Sequence, residues 1–181
     1  KRVLVLGCGT GPLAISYRKV GYNVTAVDAI DDMLRILNKK DKKIKKVHSK
    51  IEDLDLKTRY DVIVLPSLLM NMYGLRTQAV FLKSVNKHLA KAGTALFEVI
   101  DRRVCAKDDW VFPAHKIKIK KSTSITATGY ITYLFKDLQF GRNFWWYIHS
   151  RRSFSRLLEN AGLTFDREII ISPITRIYSA R

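Results

Sequence analysis

The 181-residue chain predicts an α/β fold built on a doubly wound, mostly parallel sheet, and three observations carry that reading. Its first thirty residues run strand, glycine turn, helix, strand, acid. From there to residue 100, short β-rich apolar runs alternate with stretches of helical period, the pattern of βαβ units. No apolar run approaches the roughly 18 residues of a membrane span, and no signal peptide is present.

The opening unit is the most informative. Val3 to Leu6 is apolar and partly β-branched, as a buried parallel strand should be. It breaks into Gly7-Cys8-Gly9-Thr10-Gly11, and Pro12 then starts a helix that Gly21 ends. Tyr22 to Val27 reads as a second strand that delivers Asp28 at its C-terminal end. Glycines let backbone approach a nucleotide closely, and an acid so placed can grip a ribose. The dinucleotide fingerprint G-x-G-x-x-G would need glycine at position 12, where Pro12 stands. The third glycine comes one residue early.

With Val5 to Gly11 followed by Asp28, the chain resembles the class I S-adenosylmethionine-dependent methyltransferases. Lys87-x-Leu89-x-x-x-Gly93 is similar to that family's helix-to-strand corner, and Arg152 to Leu163 to its closing Arg-x-Phe-Ser…Leu-Leu-x-x-Ala-Gly-Leu segment. The resemblance implies a seven-stranded sheet of order 3-2-1-4-5-7-6 with strand 7 antiparallel. It implies S-adenosylmethionine as cofactor, held by Gly7, Cys8, Gly9, Thr10, Gly11, Asp28 and Ala29. Ile51 and Glu52 would meet the adenine, and Leu65, Pro66 and Ser67, at the end of strand four, would complete the cofactor site. Aligning Leu54 with the leucine of the family's adenine turn puts Lys50 where an aspartate usually stands.

The other elements follow in order. Asp31 and Asp32 open a second helix where its dipole favours acids, and the lysine run Lys39 to Lys46 closes it. Ile44 to His48 reads as the third strand and Tyr60 to Leu65 as the fourth. Thr77 to Ala90 is an amphipathic helix, stopped at Gly93 before a fifth strand over Thr94 to Ile100. Thr164 to Ile171 and Ile174 to Ala180 are the last two strands, turning at Ser172-Pro173.

Residues 101–150 depart from that core. Fifty residues are too many for a simple loop, and Lys116 to Lys120 alternates strictly. With Thr123 to Thr128, Tyr130 to Phe135 and Phe144 to Ile148, this predicts an antiparallel β insertion serving as lid, substrate platform or homodimer contact. The chain is thus one domain over residues 1–181, with core 1–100 and 151–181. It begins directly on the first strand, so the reading expects the family's N-terminal cover segment to lie outside these residues.

Methyl transfer from a sulfonium needs positioning and water exclusion more than a strong base. Asp101, at the end of strand five, and Tyr73, after strand four, are the candidate catalytic residues; His115 and His149 are further candidates. Cys8 and Cys105 are too few for a disulfide framework or a metal site, which points to a reducing, cytoplasmic setting and no metal. Leu65-Pro66-Ser67-Leu68 lacks the Pro-Pro-aromatic motif of base-amino methylation. The stretch Asp61 to Tyr73 resembles small-molecule and amino-sugar methyltransferases. The leading expectation is N- or O-methylation of a small metabolite, and the net charge of +17 would suit an acidic one. Net charge +17 and the aromatic–cationic stretch Phe140 to Arg152 support an alternative, an RNA- or cap-directed enzyme. A third reading is an inactive cofactor-fold module in a larger complex.

Overall fold

The computed structural model describes residues 1–67, 69–100, 111–112, 117–125, 131–137, 143–172 and 175–181. Two sheets organise them. Strands β1 (Arg2–Leu6), β2 (Asn23–Asp28), β3 (Lys45–His48), β4 (Tyr60–Leu65) and β5 (Leu89–Ile100) run parallel. Beyond residue 100, β6 (Val111–Phe112), β7 (Ile117–Ile125), β8 (Ile131–Asp137) and β9 (Asn143–Ile148) form a four-stranded antiparallel sheet in that order. The last strands, β10 (Phe165–Ile170) and β11 (Thr175–Ala180), return to the main sheet. Its order is β10-β11-β5-β4-β1-β2-β3, with β11 antiparallel to both neighbours. Setting the insertion aside, this is the expected 3-2-1-4-5-7-6 arrangement.

The central strands β1 and β2 are buried on both faces, which is why they read as near-continuous apolar runs: residues 3–6 of β1 are all fully buried. On one face, α1 (Pro12–Lys19) and α2 (Asp31–Lys40) pack Ala14, Leu34 and Leu37 against Val3, Val5 and Val24. On the other, α4 (Leu75–His88) and α5 (Arg151–Glu159) bring Phe81, Leu82, Val85, Phe154 and Leu158 onto Leu4, Leu6, Ile63 and Phe97. Between β4 and α4 lies a single helical turn, α3 (Leu69–Met72).

Two boundaries differ from the sequence reading. The backbone is extended from Leu89 onward, so β5 begins just where the helix expected over Thr77 to Ala90 should still run. Buried Leu89 pairs with Tyr60, and the register shifts between Tyr60 and Val62. Gly93 sits at this irregularity, where a Cβ would fall 3.0 Å from the carbonyl oxygens of Ala90 and Tyr60. In the insertion, the alternating run and the following Thr123 segment form one strand, β7, whose pairing with β8 shifts between Lys120 and Ser124. A bulge, not a turn, separates them. No helix among the described residues is long and apolar enough to cross a membrane.

Candidate active site

A cleft of about 710 Å³ opens at the carboxyl ends of β1, β2 and β4, where an open α/β sheet binds its ligand. Its first wall is the loop after β1. Gly7, Gly9 and Gly11 all have positive φ (70°, 53° and 82°), which an L side chain rarely adopts. Gly7 and Cys8 donate their N–H groups to the Val27 carbonyl at 2.9 and 3.0 Å, tying the loop to the end of β2. Each outer glycine also has a packing reason. A Cβ on Gly11 would lie 2.2 Å from Cδ1 of Leu37 on α2, and one on Gly7 would lie 3.1 Å from Cδ2 of Leu69. At Gly9 nothing stands within 4 Å of that position, so the middle of the loop faces open space.

Asp28 is held to this loop. Its Oδ2 accepts from Gly9 N at 2.7 Å and its Oδ1 from Ile30 N at 2.9 Å. Both oxygens keep a lone pair for a ligand's hydroxyl groups. Cys8 lies beside it, and burial first, then the Asp28 charge, push the thiol up to about 12. Cys8 is therefore a protonated space-filler, not a nucleophile.

The cleft is lined by Gly7, Cys8, Gly9, Thr10, Asp28 and Ala29 from the first half of the predicted cofactor set. From the second half, Ile51, Glu52 and Ser67 line it too. Lys50 lines the cleft beside Glu52, so a cation does stand at the end where the resemblance implies an acid. Three predicted residues do not line it. Gly11 is turned toward Leu37, Leu65 is fully buried in the sheet, and Pro66 is buried behind the loop.

Of the catalytic candidates, Tyr73 lines the cleft, its ring edge-on to Phe81 at 5.1 Å. Asp101 and His115 lie outside the described residues. His149 is not a cleft residue: it is buried against Phe154, and burial pushes it down to about 4. Sequence reasoning missed Met33, Leu69 and Phe81, which line the cleft as well. Helical spacing assigned Phe81 to the core, and its ring is indeed buried, with its edge forming part of the cleft floor.

The cradle fits an adenosyl cofactor: an unobstructed glycine at its centre, a carboxylate with free lone pairs beside it, and Ile51 at the far end. A family model described as a methyltransferase domain matches residues 1–168. Among curated relatives, the ubiquinone biosynthesis O-methyltransferase of Rickettsia conorii is 30% identical over 104 residues, 55% of this chain and 35% of that protein. The chain thus spans well under half the length of that relative. Among solved structures, the 1,6-didemethyltoxoflavin-N1-methyltransferase of Burkholderia thailandensis, with S-adenosylhomocysteine bound, superposes with TM-score 0.70 at 16% identity. The alignment covers 99% of this chain and 70% of that one. An amino pentose methyltransferase of Micromonospora echinaspora superposes with TM-score 0.70 at 14% identity, covering 99% of this chain and 82% of that one. With the family model spanning nearly the whole chain and the glycine loop, acid and sheet order all in place, the chain belongs to the class I S-adenosylmethionine-dependent methyltransferases.

Proposed function

We propose that the protein transfers a methyl group from S-adenosylmethionine to a nitrogen or oxygen of a small-molecule metabolite. In this reading residues 1–100 and 151–181 form the catalytic core, and 101–150 are its acceptor-side insertion. The observation that carries it is the cleft itself. One end offers Asp28 and Glu52 to a ribose and an adenine, and the other is closed by Leu69, Tyr73 and Phe81.

When bound, the cofactor supplies a methyl group already activated on a sulfonium. Asp28 then accepts hydrogen bonds from the ribose hydroxyls, and the glycine loop presents backbone to the amino-acid arm. Leu69, Tyr73 and Phe81 exclude water from the reacting end, where positioning matters more than proton transfer. The relatives' names, a ubiquinone biosynthesis O-methyltransferase and an amino pentose methyltransferase, support a small acceptor.

Asp28→Ala tests the cofactor half. Charged hydrogen bonds contribute roughly 1.5–3 kcal/mol each, so calorimetry should show at least about tenfold weaker binding of S-adenosylmethionine. Equal affinity in parent and variant removes Asp28 from the site. For the acceptor half, labelled cofactor is incubated with a metabolite pool and, separately, with RNA. Label should enter the small-molecule fraction; entry into RNA alone favours the nucleic-acid reading.

A further inference from the structure

The loop between β4 and α4 holds the one non-glycine residue with positive φ among the described residues, Ser67 at 59°. A left-handed conformation costs an ordinary residue about 1–2 kcal/mol and persists only where its surroundings impose it. Here the imposing group is on view: Oε2 of Glu98, on β5, accepts the Ser67 N–H at 2.5 Å. The sheet register brings the two together. Leu65 pairs with Phe97, so the next residue on β5 stands beside the first turn out of β4.

We infer that Glu98 is a positioning residue, fixing Ser67 in its left-handed turn and so holding the loop that walls the amino-acid end of the cofactor cleft. The inference rests on the cleft being the S-adenosylmethionine site proposed above. A carboxylate is suited to this task because a charge-assisted hydrogen bond is roughly twice as strong as a neutral one. What the bond holds is functional surface. Ser67, Leu69 and Tyr73 all line the cleft, and Leu69 stands where any side chain on Gly7 would have to go. The gap between the glycine loop and this wall is therefore set by where the wall begins, at Ser67. Glycine at position 67 would adopt the same φ without strain, but also without restraint.

The test uses two ligands that differ only at the end in question. S-adenosylhomocysteine carries the amino-acid arm, and 5′-methylthioadenosine lacks it. Calorimetric titration of Glu98→Ala should show S-adenosylhomocysteine binding weakened by about tenfold, as when the untethered loop keeps its binding-competent turn about a tenth of the time, with 5′-methylthioadenosine changed by no more than about twofold. Glu98→Gln, whose amide oxygen still accepts from Ser67 N, should recover most of the loss. Glu98→Leu keeps the side-chain volume on the half-buried strand position and carries the same expectation as the alanine variant should that one fail to fold. Parental affinity for S-adenosylhomocysteine in the alanine or leucine variant overturns the inference while leaving the cofactor site standing. Equal weakening of both ligands also overturns it, since that is the mark of general destabilisation. If the parent binds neither ligand, the cofactor reading falls and this inference with it.

Discussion

The two walls of the cleft are built by opposite means. The glycine-loop wall is local: Gly7, Cys8 and Gly9 bond to Val27 and Asp28, and Asp28 to Ile30, all within a span of two dozen residues. Two of its four ties run backbone to backbone and two end on the single carboxylate of Asp28, and the conformations are ones that glycine adopts freely. The post-β4 wall is long-range and tied by side chains. Glu98 reaches Ser67 across 31 residues, Ile100 N donates to Asn71 Oδ1 across 29, and Asn71 Nδ2 donates to the Tyr147 carbonyl across 76. The fully buried Asn71 thus sits on α3 as a joint between the end of β5 and the antiparallel insertion. The first wall is held by ties between residues close in the chain. The second is assembled only when three distant segments meet, so it is where a family can vary its substrate.

The sharpest way to break the first wall is to put a side chain where none fits. Gly11→Val would drive a β-branched carbon to within 2.2 Å of Leu37 while demanding φ of 82°. A left-handed penalty of about 1–2 kcal/mol adds to about 1–3 kcal/mol of overpacking. Denaturant titration should therefore show a loss of roughly 2–5 kcal/mol, or failure to fold. Gly9→Ala is the control, since nothing lies within 4 Å of its Cβ position and only the backbone penalty applies. Equal losses at the two positions would mean that α2 does not press on the loop as described.

The second wall breaks at its joint. Asn71→Ala would strand the Ile100 N–H and the Tyr147 carbonyl, each costing about 1–3 kcal/mol where water does not reach. A destabilisation of about 2–4 kcal/mol is expected by the same titration, less if water enters the space left behind. The variant should retain affinity for 5′-methylthioadenosine, because Asp28, which meets the ribose, belongs to the first wall, and Ile51 and Glu52 lie beyond the second. Loss of that affinity together with stability would show that the walls are not separable.

That division also explains what could be read in advance. The glycine spacing, Pro12 and Asp28 are signals because local geometry needs those residue types at those intervals, and the cleft follows them. The strand order was legible for the same reason, through a resemblance carried by short motifs. Glu98 and Asn71 carry no such signal. An isolated Glu inside a strand pattern, or an Asn after a serine loop, looks like any surface polar residue until the sheet register brings its partner near. Strand limits failed likewise at Leu89, where burial against Tyr60 extends the backbone earlier than helical spacing suggests. Leu65 and Pro66 end β4 and are buried there, and a residue's place in the strand does not say which way its side chain turns.

The smallest expected effect concerns the titratable groups that the two regions hold neutral. Cys8, in the first wall, is pushed so far up that it does not ionise near neutral pH. His149, which follows β9 at the insertion's return to the core, is pushed down from 6.5 to about 4. Its folded value lies below its unfolded one, so between those two values the unfolded chain binds the extra proton. Stability contributed by keeping this ring neutral is complete above about pH 6.5 and is lost as pH falls toward 4. At pH 5 the loss should be about 2 kcal/mol, read as a falling unfolding midpoint between pH 7 and 5. His149→Phe keeps a ring against Phe154 and removes the proton site. Its stability should change less over that interval than the parent's, whatever its absolute value at pH 7. The Cys8 thiol contributes nothing to this slope, because it is protonated throughout. A pH dependence as steep in His149→Phe as in the parent would place the acid-sensitive group elsewhere and remove His149 from the interior of the joint.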